Sequence, residues 1–145
     1  MKVLIALDDS EISLRAASEA RRLFGDVEYL VVNVAQTVVP WLATGEFGMV
    51  YPTDLADMGL GGLDETTLVE KSEAAGFEPA EVLSVDGDPA KAICDAADRY
   101  DVDVVVVGSH DKGVLRRLVD PSVAQAVVQG TYRPVLVVSG TAPTD

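Results

Sequence analysis

Five apolar runs punctuate the chain, and polar segments with a helical period fill the intervals. Val3 to Leu7 is apolar throughout, Tyr29 to Ala35 is broken only by Asn33, and Val82 to Val85 is shorter and weaker. Val104 to Val107 and Val135 to Val138 are wholly aliphatic. Runs without apolar/polar alternation predict strands covered on both faces, as in a parallel sheet. Between the runs the period changes. Ile12, Ala16, Ala20 and Leu23 recur at three and four, with Gly25 placed to stop a helix. A weaker helix is predicted from about Asp64 to Ala75, before Gly76. Asp88-Pro89 reads as a cap with a first-turn proline, and Ile93, Ala96, Ala97 and Tyr100 follow on one face. Ser122 caps a short helix that carries Val123, Val127 and Val128 and ends near Gly130. Strict alternation predicts an α/β fold: a doubly wound five-stranded parallel sheet, order 3-2-1-4-5, with helices on both faces. Residues 1–140 are expected to form a single domain, with 141–145 a short C-terminal tail.

That order makes strands 1 and 4 neighbours and reverses the winding between them. Ligands of such sheets bind in the crevice beyond the C-terminal strand ends at that point. Asp8 closes the first run and Gly108 the fourth, so both should face the crevice. After Gly108 comes a polar, glycine-containing loop and then Ser122, a strand–loop–helix layout that places phosphates at helix starts. Residues Gln36 to Gly62 fit no element; they hold Pro40, Trp41, Phe47, Tyr51 and Pro52. A stretch of this length is usually functional or mobile, and two readings stand: its aromatics cover a ligand or partner, or they pack over the sheet edge.

Composition narrows the function. With 145 residues and 48% apolar content, the chain can bury a core without staples. Twenty-four acidic residues against eleven basic ones give a net charge of −13, which repels nucleic acid and anionic membranes. The acids are spread along the chain, which suits a salt-rich cytoplasm where screening weakens self-repulsion. Cys94 is the single cysteine, so no internal disulfide or cysteine-rich metal cage forms; a buried structural thiol is expected. Val3 to Leu7 is too short for a signal-peptide core, and no apolar run spans a bilayer. A cytoplasmic location is expected.

Several segments together resemble the universal stress protein family. VLIALDDSEIS, with its Asp8-x-Ser10 turn, is similar to that family's first strand and turn. Asp86-Gly87-Asp88-Pro89 with Ala90 and Ile93 resembles the start of its third helix, VVVVGSHDKGVLRRLVDPSVAQAVV its signature segment, and RPVLVV its last strand. The resemblance implies an adenine-nucleotide alpha-hydrolase-like fold and ATP as ligand. It implies a site built from Leu7, Asp8, the main chain at Val34, Gly108, Ser109, His110, Gly113, Arg116, Ser122 and Val123. It also implies a homodimer through the last strand, Val135, Leu136, Val137 and Val138, an uncharged aliphatic edge that invites pairing.

Nucleotide-binding members carry Gly-x2-Gly-x9-Gly-[Ser/Thr]. Gly108 and Ser122 fit the first and last positions, but Asp111 and Pro121 stand where the second and third glycines belong. Asp111 brings a carboxylate to anionic oxygens; like charges about 4 Å apart repel by roughly 4 kcal/mol at an effective dielectric near 20. Pro121 removes an N–H whose bond to a charged group is worth about 1.5–3 kcal/mol. Against this, Gly113 supplies freedom in a shifted loop, and Lys112, Arg116 and Arg117 could offset Asp111 or simply pair with Asp111 and Asp120. His110 reads either as an exposed side chain or as a contact to a nucleotide edge or sugar. Without another cysteine or histidine no zinc site, and no structural metal, is expected. Asp8 and Asp9 could hold Mg²⁺ beside phosphates; alternatively, Asp8 caps the first helix or touches a ribose hydroxyl. Neither a Gly-x-Ser-x-Gly elbow nor a Walker loop occurs, so a dedicated enzyme is not expected. The leading expectation is a stress-type regulatory or protective protein, a dimeric interaction module with a degenerate nucleotide site. The alternative is a weak ATP-binding sensor using the same crevice, and slow ATP hydrolysis is a third reading.

Overall fold

In the computed structural model, residues 1–35, 63–109 and 123–139 are described. The elements run β1 (Lys2–Ala6), α1 (Glu11–Phe24), β2 (Glu28–Ala35), α2 (Glu65–Ala74), β3 (Glu81–Asp86), α3 (Pro89–Arg99), β4 (Val104–Ser109), α4 (Val123–Gly130) and β5 (Val135–Ser139). The strands form one sheet in the order β3-β2-β1-β4-β5, every pair parallel. The expected winding is therefore the observed one. The Gln36–Gly62 stretch, the loop carrying Asp111 and Pro121, and the 141–145 tail lie outside the described residues.

The aliphatic runs are continuous because both faces of the sheet are covered. Successive strand residues point to opposite faces. Val3, Ile5, Val31 and Val106 pack with Ala16, Ala17 and Ala20 of α1 and Leu68 of α2. Leu4, Leu30, Val32, Val105 and Val107 pack on the other side with Ile93, Ala96 and Ala97 of α3 and Ala124 and Val127 of α4. The buried alanines of α1 keep that helix close to the sheet.

Local chemistry sets the helix ends as expected in most places. Asp88 caps α3 by accepting from the Lys91 N–H at 2.9 Å, with Pro89 in the first turn. Asp64 caps α2 in the same way through Thr67, and that bond holds its carboxyl below the usual range. Gly25 ends α1 at φ 71°, in the region that favours glycine. Two expected core positions fail: Leu23 is 51% exposed and Val128 is 48% exposed. The face of α1 that meets the sheet is centred on Ala16, Ala17 and Ala20, with Phe24 packed at its end, which leaves Leu23 on the solvent side. Two strand ends also shift: β1 stops at Ala6, short of Asp8, and β4 runs on through Gly108 to Ser109.

Candidate functional site

The crevice opens where β1 and β4 part. Their last paired rung is Ile5 with Val106. Beyond it the Leu7 N–H donates to the Val32 carbonyl at 2.9 Å, drawing the chain towards β2. Gly108 and Ser109 instead continue along β5, in register with Val138 and Ser139. The two strands thus part at their C-terminal ends, the reversal point at which this architecture binds ligands.

One wall is the turn from Leu7 to Ser10. Asp8 is not the helix cap: Ser10 is, its hydroxyl oxygen accepting from the Ser13 N–H at 3.2 Å. The Asp8 carboxylate accepts from both the N–H and the hydroxyl of Ser10. Its own N–H donates to Ser13 Oγ at 3.1 Å. The turn is thus closed by its own side chains, because a carboxylate two residues before a serine can bond that residue's backbone. Asp9 pairs with Lys71 of α2 at 3.2 Å. Among the described residues no group of three or more histidine, cysteine or acidic side chains is placed to hold a metal.

The other wall is Gly108, and its glycine is explained by packing. A Cβ there would lie 3.0 Å from the Ile12 carbonyl oxygen and 3.1 Å from the Ile12 carbonyl carbon. The first turn of α1 therefore crosses β4 so closely that a side chain at this position would have to push it back by a few tenths of an ångström.

The remaining expected residues divide. Leu7 is 2% exposed, so its side chain belongs to the core. Val34 pairs with Val85 at the end of β2 and packs beside the α3-side cluster, one strand removed from the crevice. Val123 opens α4 and packs against that cluster as well. The structure thus gathers Leu7, Asp8, Gly108 and Ser109 at the ends of two adjacent strands. His110, Gly113, Arg116 and Ser122 lie outside the described residues.

Asn33 was not among the expected site residues. It is 4% exposed; its Nδ2 donates to the Leu7 carbonyl at 2.9 Å and its Oδ1 accepts from the Leu63 N–H at 2.9 Å. The signal was present in the sequence: a lone polar residue within an apolar strand has to find partners.

Comparison with known proteins agrees with this architecture. Residues 1–139 match the profile of the universal stress protein family. Universal stress protein A of Escherichia coli K12 is 40% identical over 119 residues, 74% of this chain and 74% of that protein. The structure of UspA from Lactobacillus plantarum superposes with a TM-score of 0.66 at 18% identity, covering 95% of this chain and 97% of that one. A universal stress protein from Archaeoglobus fulgidus, solved in complex with dAMP, gives 0.56 at 27% identity, covering 95% of this chain and 97% of that one. The fold is the adenine-nucleotide alpha-hydrolase-like one, and the chain belongs to the universal stress protein family.

Proposed function

We propose that the protein is a cytoplasmic regulatory or protective stress protein that works as a homodimer through protein–protein contact. Its nucleotide crevice is degenerate. The observation that carries this reading is the edge formed by β5. The Val105 N–H donates to the Pro134 carbonyl, so strand alternation turns the N–H and C=O groups of Val135 and Val137 away from β4, while the Ser139 carbonyl accepts from Arg15 at 3.3 Å. Val137 is 39% exposed on that edge. An aliphatic edge strand with outward donors and acceptors favours pairing with its own copy about a twofold axis. The crevice supports the same reading: Asp8 is occupied by Ser10 and Gly108 is needed for packing, so neither implies a ligand. In the sequence, Asp111 and Pro121 weaken a phosphate site.

Light scattering at micromolar concentration and high salt tests the assembly. A dimeric mass is expected for the unaltered protein, with Val137→Lys monomeric or misfolded. A monomeric mass for the unaltered protein overturns it.

A second reading is favoured by the dAMP-bound relative, which is 27% identical over most of both chains. In it, the crevice binds an adenine nucleotide weakly, with Asp8, the Val34 main chain, Gly108 to His110 and Ser122-Val123 around it. Arg116 offsets Asp111. Calorimetric titration of ATP and AMP separates the two readings.

A further inference from the structure

Asn33 links three segments of the chain. It is carried by β2, its amide nitrogen holds the end of β1 at Leu7, and its amide oxygen holds Leu63, one residue before the cap of α2. Leu63 is held on its other side too, where its carbonyl accepts from Ser84 Oγ at 3.1 Å. On the neighbouring residue, Asp9 is fixed to α2 by Lys71. Asp8 therefore stands between two residues with partners across the turn, Leu7 by a buried bond to Asn33 and Asp9 by a surface ion pair with Lys71, of which the first is the firmer.

Asn33 serves both bonds because its amide carries a donor and an acceptor side by side. The Leu7 carbonyl takes a donor and the Leu63 N–H an acceptor; the Leu7 bond is buried and the Leu63 bond half-buried, so an unmade bond at Leu7 is not replaced by water. We infer that Asn33 is a positioning residue: it locks the Leu7–Ser10 turn to the start of α2 and thereby fixes where Asp8 stands in the crevice. It touches no ligand itself. Its effect on nucleotide affinity rests on the second reading above; its effect on the turn does not.

The test is Asn33→Asp, with Asn33→Leu beside it. The ionised carboxylate still accepts from Leu63 but repels the Leu7 carbonyl. Protonated, it can donate to Leu7 and restore both bonds. Burial and the facing carbonyl raise such a carboxyl above its ordinary range, so protonation occurs in mild acid. Asp8, Asp9, Asp64 and Lys71 lie nearby in both proteins, and the profile of the unaltered protein subtracts their titration.

Amide hydrogen exchange should show the Leu7 and Asp8 amides of Asn33→Asp losing protection by about tenfold or more at pH 7.5. Leu63 should keep its protection, and Leu7 and Asp8 should recover it near pH 5. In Asn33→Leu, both sites should loosen at either pH. AMP affinity, where the unaltered protein binds AMP, should fall and recover in step with the Leu7 and Asp8 amides. Protection at Leu7 and Asp8 that does not change, or a loss spread evenly over the sheet, overturns the inference; so does a loosened turn with unchanged AMP affinity. If the unaltered protein binds no AMP, the nucleotide reading fails and the exchange comparison alone decides the role of Asn33.

Discussion

Replacing Gly108 with alanine separates two explanations of the most family-like glycine in the chain. If the glycine serves phosphate approach, the methyl group costs ligand affinity and little stability. If it serves packing, the cost falls on the fold. The added Cβ would sit 3.0 Å from the Ile12 carbonyl oxygen, 3.1 Å from its carbonyl carbon and 3.2 Å from Cγ1. The side-chain carbon can rotate away. The two backbone atoms cannot, because they lie in a helical turn fixed by Ser10 and Ser13. Overpacking of this kind costs about 1–3 kcal/mol. Reduced freedom of the unfolded chain returns about 0.4–1 kcal/mol, since Gly108 has no positive φ to forbid alanine. The net expectation is a loss of roughly 0.5–2 kcal/mol, which for a domain of this size lowers Tm by about 1–8 °C. Thermal unfolding followed by far-ultraviolet circular dichroism, with an ATP titration on the same samples, reads both quantities. An unchanged or raised Tm refutes the packing argument, most sharply if nucleotide affinity falls at the same time.

Three further outcomes are expected. ATP should bind no more tightly than roughly tens of micromolar, and Asp111→Gly with Pro121→Gly should tighten it; nanomolar affinity, or no change in the double variant, contradicts the view of that loop. Stability should rise between low and molar potassium chloride, because a net charge of −13 repels itself less when screened; an equal or lower melting point removes the link to a salt-rich cytoplasm. Burial first, then Asp98, Asp95 and Asp88, push the Cys94 thiol up. The folded state thus favours the neutral thiol, whose contribution is complete below the unfolded value of about 8.5 and lost as pH rises through the folded one. Cys94 should accordingly alkylate more slowly in the folded than in the unfolded chain at pH 8, and equal rates contradict the assignment.

The sheet was legible because burial on both faces writes itself as aliphatic runs, unbroken at β1, β4 and β5 and interrupted at Asn33 in β2 and Ser84 in the edge strand β3. The cap was legible where one residue does one job, as at Asp88, whereas Asp64 marked only the approximate start of a helix. Asp8 was harder, since Asp8 and Ser10 are both good caps and only the geometry shows that Ser10 takes the helix while Asp8 closes the turn. Leu23 fitted a three-and-four repeat, yet the alanines of α1 decide which side meets the sheet. Gly108 was legible as a glycine required by its surroundings, but not for its reason: contact with Ile12 links residues that are far apart in sequence. Asn33 was visible as an anomaly, while its partners Leu7 and Leu63 come together only in the folded chain.

The two fixed stems at Ala35 and Leu63 have a consequence for how this chain can change. Ala35 is held in register with Asp86, and Leu63 by Asn33 and Ser84. Both anchors are bonds among the described residues. Closing a flexible connection costs only about 0.6 kcal/mol more for each doubling of its length. A change of length between these two stems therefore adds little closure cost so long as both anchors hold. The same frame could carry new recognition sequences at this point while its core stays the same.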